Sequence, residues 1–223
     1  MANAMTQPYS RIWGACVLAL ALVSCSRAPQ QPPDLGTPIL NRIGVAGDKK
    51  DIAELRSMAG EVERAGATAR NIYGVALYYA DPRDERREFV DTFPTDPRGI
   101  GHDFYEVLPR VAHFGRWYPY EQLVSIARTG DHDAIKKLLR ATSNSDGIIA
   151  EIFGDGVTSV SAAYPASTLS ILGSLPRAIG DRVALSGYPW CYRNVKILGV
   201  QAQTQRQRVL QKEVAISRRR CLM

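Results

Sequence analysis

Three histidines, His102, His113 and His132, are the first place in this 223-residue chain to look for acid–base or metal chemistry. His102 stands beside Asp103, and His113 follows about three helical turns later, too far along one helix for both imidazoles to hold one metal ion. None belongs to a His-Glu-x-x-His pattern. His132 lies between Asp131 and Asp133 at the start of a helix, where solvent and local charge account for it. Asp146 and Glu151 diverge around a helix, so Asp146 reads as charge at a helix start and not as half of a carboxylate pair. Glu151 falls in an apolar segment and, once buried, would need Lys136, Lys137 or Arg140 as a partner. No Gly-x-Ser-x-Gly elbow occurs, and Gly99-Ile100-Gly101 lacks both the third glycine and the preceding strand of a phosphate-binding turn. No catalytic residue, metal site or cofactor is assigned on these grounds. The enzymatic alternative is a site assembled from the dispersed residues His102, Asp103, His113 and Glu151.

The elements that would position these residues are read from hydrophobic spacing. Leu123, Val124, Ile126 and Ala127 paint one side of a helix that Gly130 stops, and Asp131 is placed to cap the next, with Ile135, Leu138 and Leu139 as its buried stripe. A third segment carries Ile148, Ile149, Ile152, Phe153, Val157 and Val160, interrupted by Gly154 and Gly156, and Pro165 opens a fourth through Leu169, Leu172 and Leu175. Upstream, a first helix is expected from Gly47 or Asp48, and a second over 67–79, where Ala69, Ile72, Tyr73, Ala76 and Ala80 would let a neighbour approach closely. The charge-dense run from Arg83 to Asp91 reads as a solvated helix face, and a further helix holds Phe104, Tyr105, Val107, Leu108 and Val111. Phe114, Trp117, Tyr118 and Tyr120 form an aromatic cluster suited to core packing. Residues 195–200 alone suggest a short strand or part of a buried helix. The expected fold is mainly α: antiparallel helix pairs stacked as a short α-solenoid, or an irregular helical bundle.

The N-terminal part has a different character. After Arg11 comes an apolar run of about a dozen residues from Ile12 to Val23, too short to span a bilayer and suited to the core of a signal peptide. Directly behind it, Leu22-Val23-Ser24-Cys25 resembles the lipobox of bacterial lipoproteins. That resemblance implies a signal peptide over 1–24, lipidation of Cys25, and an address in the bacterial cell envelope. Ser26, in place of an aspartate, favours the outer membrane, with the protein facing the periplasm. From Ser26 to Pro38 the chain is rich in Pro and Gln, an extended tether of about 40 Å at roughly 3.1 Å per residue. The organisation expected is therefore 1–24 signal peptide, 25–40 lipidated cysteine and tether, 41–190 helical domain and 191–223 basic appendage.

Cys191 and Cys221 would be the two cysteines of the mature domain; in an oxidising compartment they either pair or remain a buried thiol and a tail thiol. Phe89-Val90-Asp91-Thr92-Phe93-Pro94, then Ser145-Asp146-Gly147-Ile148-Ile149-Ala150-Glu151 and Pro165, resemble uncharacterised secreted bacterial proteins with a HEAT-like helical-repeat body. The resemblance implies an α-solenoid and carries no site.

Charge is asymmetric. Residues 177–223 hold ten Lys and Arg against two Asp and Glu, whereas 25–176 hold seventeen against twenty. Arg206, Arg208, Lys212, Arg218, Arg219 and Arg220 concentrate the excess on one helical segment. For an envelope lipoprotein the anionic partners are phospholipid head groups, lipopolysaccharide or an acidic protein, and no nucleic acid is expected. The leading reading is a non-enzymatic, membrane-anchored lipoprotein whose helical body binds another envelope or secreted protein, in the manner of an immunity or inhibitor protein. The alternatives are the dispersed-site enzyme and an envelope factor acting through its basic C-terminal segment.

Overall fold

Apolar stripes fold this chain into helices that bury one side each. The computed structural model describes residues 38–113, 119–191, 195–221 and 223. Cys25, the residues expected to form a signal peptide and lipobox, Phe114, Trp117 and Tyr118 lie outside the described residues. Twelve α-helices and no strand are present among those described, so the protein is mainly α. They are α1 Pro38–Asp48, α2 Ile52–Ser57, α3 Ala59–Ala65, α4 Ala67–Ala80, α5 Arg86–Thr92, α6 Leu108–Val111, α7 Pro119–Ala127, α8 His132–Thr142, α9 Gly147–Ala163, α10 Pro165–Ser174, α11 Arg177–Leu185 and α12 Gln205–Cys221. No helix among the described residues is long and apolar enough to cross a membrane.

The first half is built on α4, which touches α1, α3 and α5. Small residues allow it: a Cβ on Gly74 would collide with the Thr92 side chain of α5, and one on Gly44 of α1 would strike the Val111 carbonyl. α1 begins well before the expected Gly47, and Ile39, Leu40 and Ile43 are buried. The folded body thus starts by Pro38, inside the stretch expected to be tether. A proline at the first position of a helix costs nothing, because that N–H has no helical partner.

In the second half Asp131 caps α8 by accepting from the Ala134 N–H at 2.9 Å. α9 packs on both α7 and α8, and a Cβ at Gly156 would lie 2.7 Å from the Val124 side chain. Two expectations for α9 are corrected. Ile148 is 65% exposed, because the inward stripe is Ile149, Phe153, Val157 and Val160, and Ile148 faces away from it. Glu151 is exposed as well, so it needs no buried partner. Lys137 instead donates to the Asp91 carbonyl at 3.0 Å, and burial pushes its pKa down.

Residues 195–200 resolve into a 3₁₀ turn, Lys196–Gly199, with Ile197 buried. A second such turn, Tyr188–Trp190, seats the fully buried Trp190, whose indole N–H donates to the Val183 carbonyl at 2.9 Å. Gly36–Met223 form one compact unit, and the segment expected as an appendage is packed within it. α12 lies on α10 and α11, burying Leu210 and Val214, and Ser217 donates to the Ala184 carbonyl at 3.0 Å. Cys191 and Cys221 form a disulfide with Cα atoms 5.3 Å apart, closing a loop of 30 residues. A loop of that size stabilises by about 3 to 4 kcal/mol through the unfolded chain. Reduction, or the double change Cys191→Ala and Cys221→Ala, is expected to lower the urea midpoint accordingly. An unchanged midpoint would contradict a structural role for the bond.

Candidate functional site

Between α5 and α6 the chain does not continue as an ordinary helix. Gly99–Val107 winds as a π-helical segment, and its exit is marked by the Leu108 N–H donating to the Asp103 carbonyl five residues back. Wide turns of this kind are rare and recur at functional sites. The Gly99 N–H donates to the Asp96 carboxylate at 2.9 Å, and a Cβ on Gly99 would collide with Pro94 and press Asn71. Glycine is therefore required for the segment to lie this close to Pro94.

Its consequence is the placement of Asp103, which is 2% exposed. Oδ1 accepts from the Thr68 hydroxyl at 3.0 Å and pairs with His102 Nδ1 at 3.0 Å, while Oδ2 accepts from the Asn71 amide at 2.7 Å. A carboxylate can only accept, so Nδ1 of His102 carries the proton and Nε2 is left as the basic nitrogen. A cavity of about 240 Å³ lies beside this network, lined by Thr68, Asn71, Asp96, Arg98 and Asp103. The arrangement has the orienting half of an acid–base dyad. No nucleophile is hydrogen-bonded to His102 among its described contacts.

The other sequence-nominated residues do not converge here. His113 is exposed and pairs with Asp48, through Nδ1 at 2.9 Å and its own backbone N–H at 2.9 Å, which ties the end of α6 to the end of α1. His132 sits 3.8 Å from Asp133 on the surface. Among the described residues no group of three His, Cys, Asp or Glu side chains is arranged to hold a metal ion. Thr68 and Asn71 carry little signal in the sequence: they are polar residues three apart on a helix whose stripe of Ala69, Ile72, Tyr73 and Ala76 is small and apolar.

A second concavity, of about 270 Å³, lies between α4, α5 and the start of α7, lined mainly by Val75, Tyr78, Tyr79, Pro82, Phe89 and Pro119. Lys50 closes one side, its ammonium 4.7 Å from the Tyr79 ring centroid. Lys50 holds a left-handed backbone with φ of 57° in the turn between α1 and α2. That conformation is costly for a residue with a Cβ. An aromatic wall with one cation at its edge suits an extended peptide offering apolar side chains.

The basic residues separate into two kinds. Arg206 is bound to Asp181 at 2.6 Å and to the Arg177 carbonyl at 3.1 Å, so it clamps α12 to α11 and is not available to a partner. Arg218 is half-buried. Arg208, Lys212, Arg219 and Arg220 are exposed.

The sequence matches no protein-family model, no curated protein and no solved structure.

Two measurements check this geometry. Asp103→Ala would strand Thr68, Asn71 and His102 and is expected to cost about 2 to 4 kcal/mol in denaturant unfolding, against about 1 kcal/mol for Thr68→Ala. Equal small losses would mean that the network is not closed. Tyr120, which donates to the Ile100 carbonyl at 2.6 Å, has its phenol pKa raised by burial. A raised folded-state pKa gives stability that is present below the unfolded value near 10 and is lost as pH climbs above it. The alkaline fall in stability should be shallower in Tyr120→Phe than in the parent protein.

Proposed function

We propose that this protein is a non-enzymatic lipoprotein of the bacterial cell envelope, held at the membrane by lipidated Cys25, whose helical body binds another envelope or secreted protein. The observation that carries this reading is the order of segments: an apolar run of signal-peptide length, then Leu22-Val23-Ser24-Cys25, then a Pro- and Gln-rich stretch, then the folded body. Multiple acyl chains on one cysteine anchor a domain stably, where a single chain would not. A serine after the cysteine favours the outer membrane, with the body in the periplasm.

Protein binding is supported by the groove of Lys50, Val75, Tyr78 and Tyr79, because large, rigid aromatic side chains at a concave surface concentrate binding energy. The partner would place an apolar segment along Tyr78 and Tyr79 and a carboxylate near Lys50. An immunity or inhibitor protein acts in this way, since occupying a partner's surface needs no chemistry of its own.

Two measurements address the two halves of the reading. Cys25→Ala is expected to move the protein from the membrane to the soluble fraction and to abolish globomycin-sensitive processing; unchanged membrane attachment would overturn the anchor. For the body, residues 36–223 immobilised against envelope extract should enrich a specific protein, and Tyr79→Ala should lower its recovery about tenfold, the effect of losing one aromatic hot spot. Equal recovery by both forms would remove the groove from the account.

A further inference from the structure

We propose that the outward face of α12 is a docking surface for anionic phospholipid head groups. At about 100° per residue, Arg208, Lys212 and Arg219 lie within roughly 40° of one another around the helix axis. All three are exposed, and the other residues on the same stripe are Gln205 and Ala215, so no carboxylate interrupts it. Arg220 flanks it at the C-terminal end. The turn that carries the exposed Lys196 is held against α12, because Gln211 donates to the carbonyls of both Ile197 and Val200 at 2.8 Å.

The stripe is fixed in place. Leu210, Val214 and Ser217 face the body, Arg206 is bound to Asp181, and the disulfide from Cys221 to Cys191 pins the far end. With its apolar side already buried against α10 and α11, the helix cannot insert into a bilayer, so contact is confined to the head-group layer. A protein partner would want a desolvated apolar centre inside the charged rim. The exposed residues of α12 before its C-terminal cysteine are Gln205, Arg208, Lys212, Arg219 and Arg220, which supply only the rim. A planar array of phosphates needs nothing more.

The choice of phospholipid as the anion source rests on the anchored reading above, in which a membrane surface is always within the tether's reach. The electrostatic property of the stripe does not. A basic patch added to an acyl anchor supplies the second attachment signal and holds the body against the bilayer.

The experiment uses residues 36–223, a unit with its own core and disulfide and without Cys25, so that failure of the anchor and failure of this surface are read separately. Sedimentation is measured with vesicles of phosphatidylcholine alone and of phosphatidylcholine mixed with phosphatidylglycerol. Binding to the anionic vesicles alone, lost at high salt, is expected. The combined change Arg208→Glu, Lys212→Glu and Arg219→Glu should weaken it at least about tenfold. An equal charge change at the exposed residues Lys49, Arg83 and Lys136 should leave most of it intact. No sedimentation with anionic vesicles, or equal loss in both variants, overturns the proposal. So does a preference of the stripe for soluble poly-glutamate over the vesicles, which would assign it to an acidic protein.

Discussion

Four aromatic rings in a closed circuit join the two halves of this molecule. Phe93, at the end of α5, lies 5.2 Å from Phe104 of the π-helical segment; Phe104 lies 6.0 Å from Tyr120 of α7; Tyr120 lies 5.6 Å from Phe153 of α9; and Phe153 returns to Phe93 at 6.2 Å. All four meet edge to face, the arrangement in which ring quadrupoles attract, at about 0.5 to 1.5 kcal/mol per pair beyond the area they bury. Phe89 and Tyr78 extend the chain of rings into α4 at 5.6 and 4.7 Å. Tyr78 and Phe89 continue from this circuit into the aromatic groove, and Phe104 follows directly on Asp103.

The π-helical segment makes sense in that setting. Phe104 must point into the ring circuit while Asp103 turns toward Thr68 and Asn71 of α4. Adjacent residues of a helix point about 100° apart, and the wider winding re-aims them without breaking the segment. Tyr120 then locks the segment from the other side through the Ile100 carbonyl. The carboxylate and the rings thus hold one irregular stretch from two sides.

Much of this fold is legible in the sequence, and the parts that are not share a cause. α4, α7, α8 and α10 follow from stripes of apolar residues and from Gly130, Asp131 and Pro165, all of which act within a few residues of chain. The π-helical segment carries no such mark, because two of the residues that contact it, Asn71 and Tyr120, are distant in sequence. Pro38 looks like the last residue of a proline-rich tether until Ile39, Leu40 and Ile43 are seen to have α4 to pack on. Arg206 resembles its neighbours in the basic run, and only the position of Asp181 on α11 separates the clamp from the exposed cations. Where contacts between elements decide the local structure, the sequence alone is silent.

We propose that the helical body, with its aromatic groove and basic stripe, follows a lipidated Cys25 and a Pro- and Gln-rich stretch in the chain. The central claim is the lipid, since the address of the protein and the choice of phospholipid as the partner of the basic stripe both depend on it. Mass spectrometry of the mature N-terminus from membrane-purified protein tests that claim most directly. The account predicts a chain beginning at Cys25 with a diacylglyceryl thioether on its sulfur. A mature chain that begins elsewhere, or a Cys25 carrying a free thiol, would contradict it.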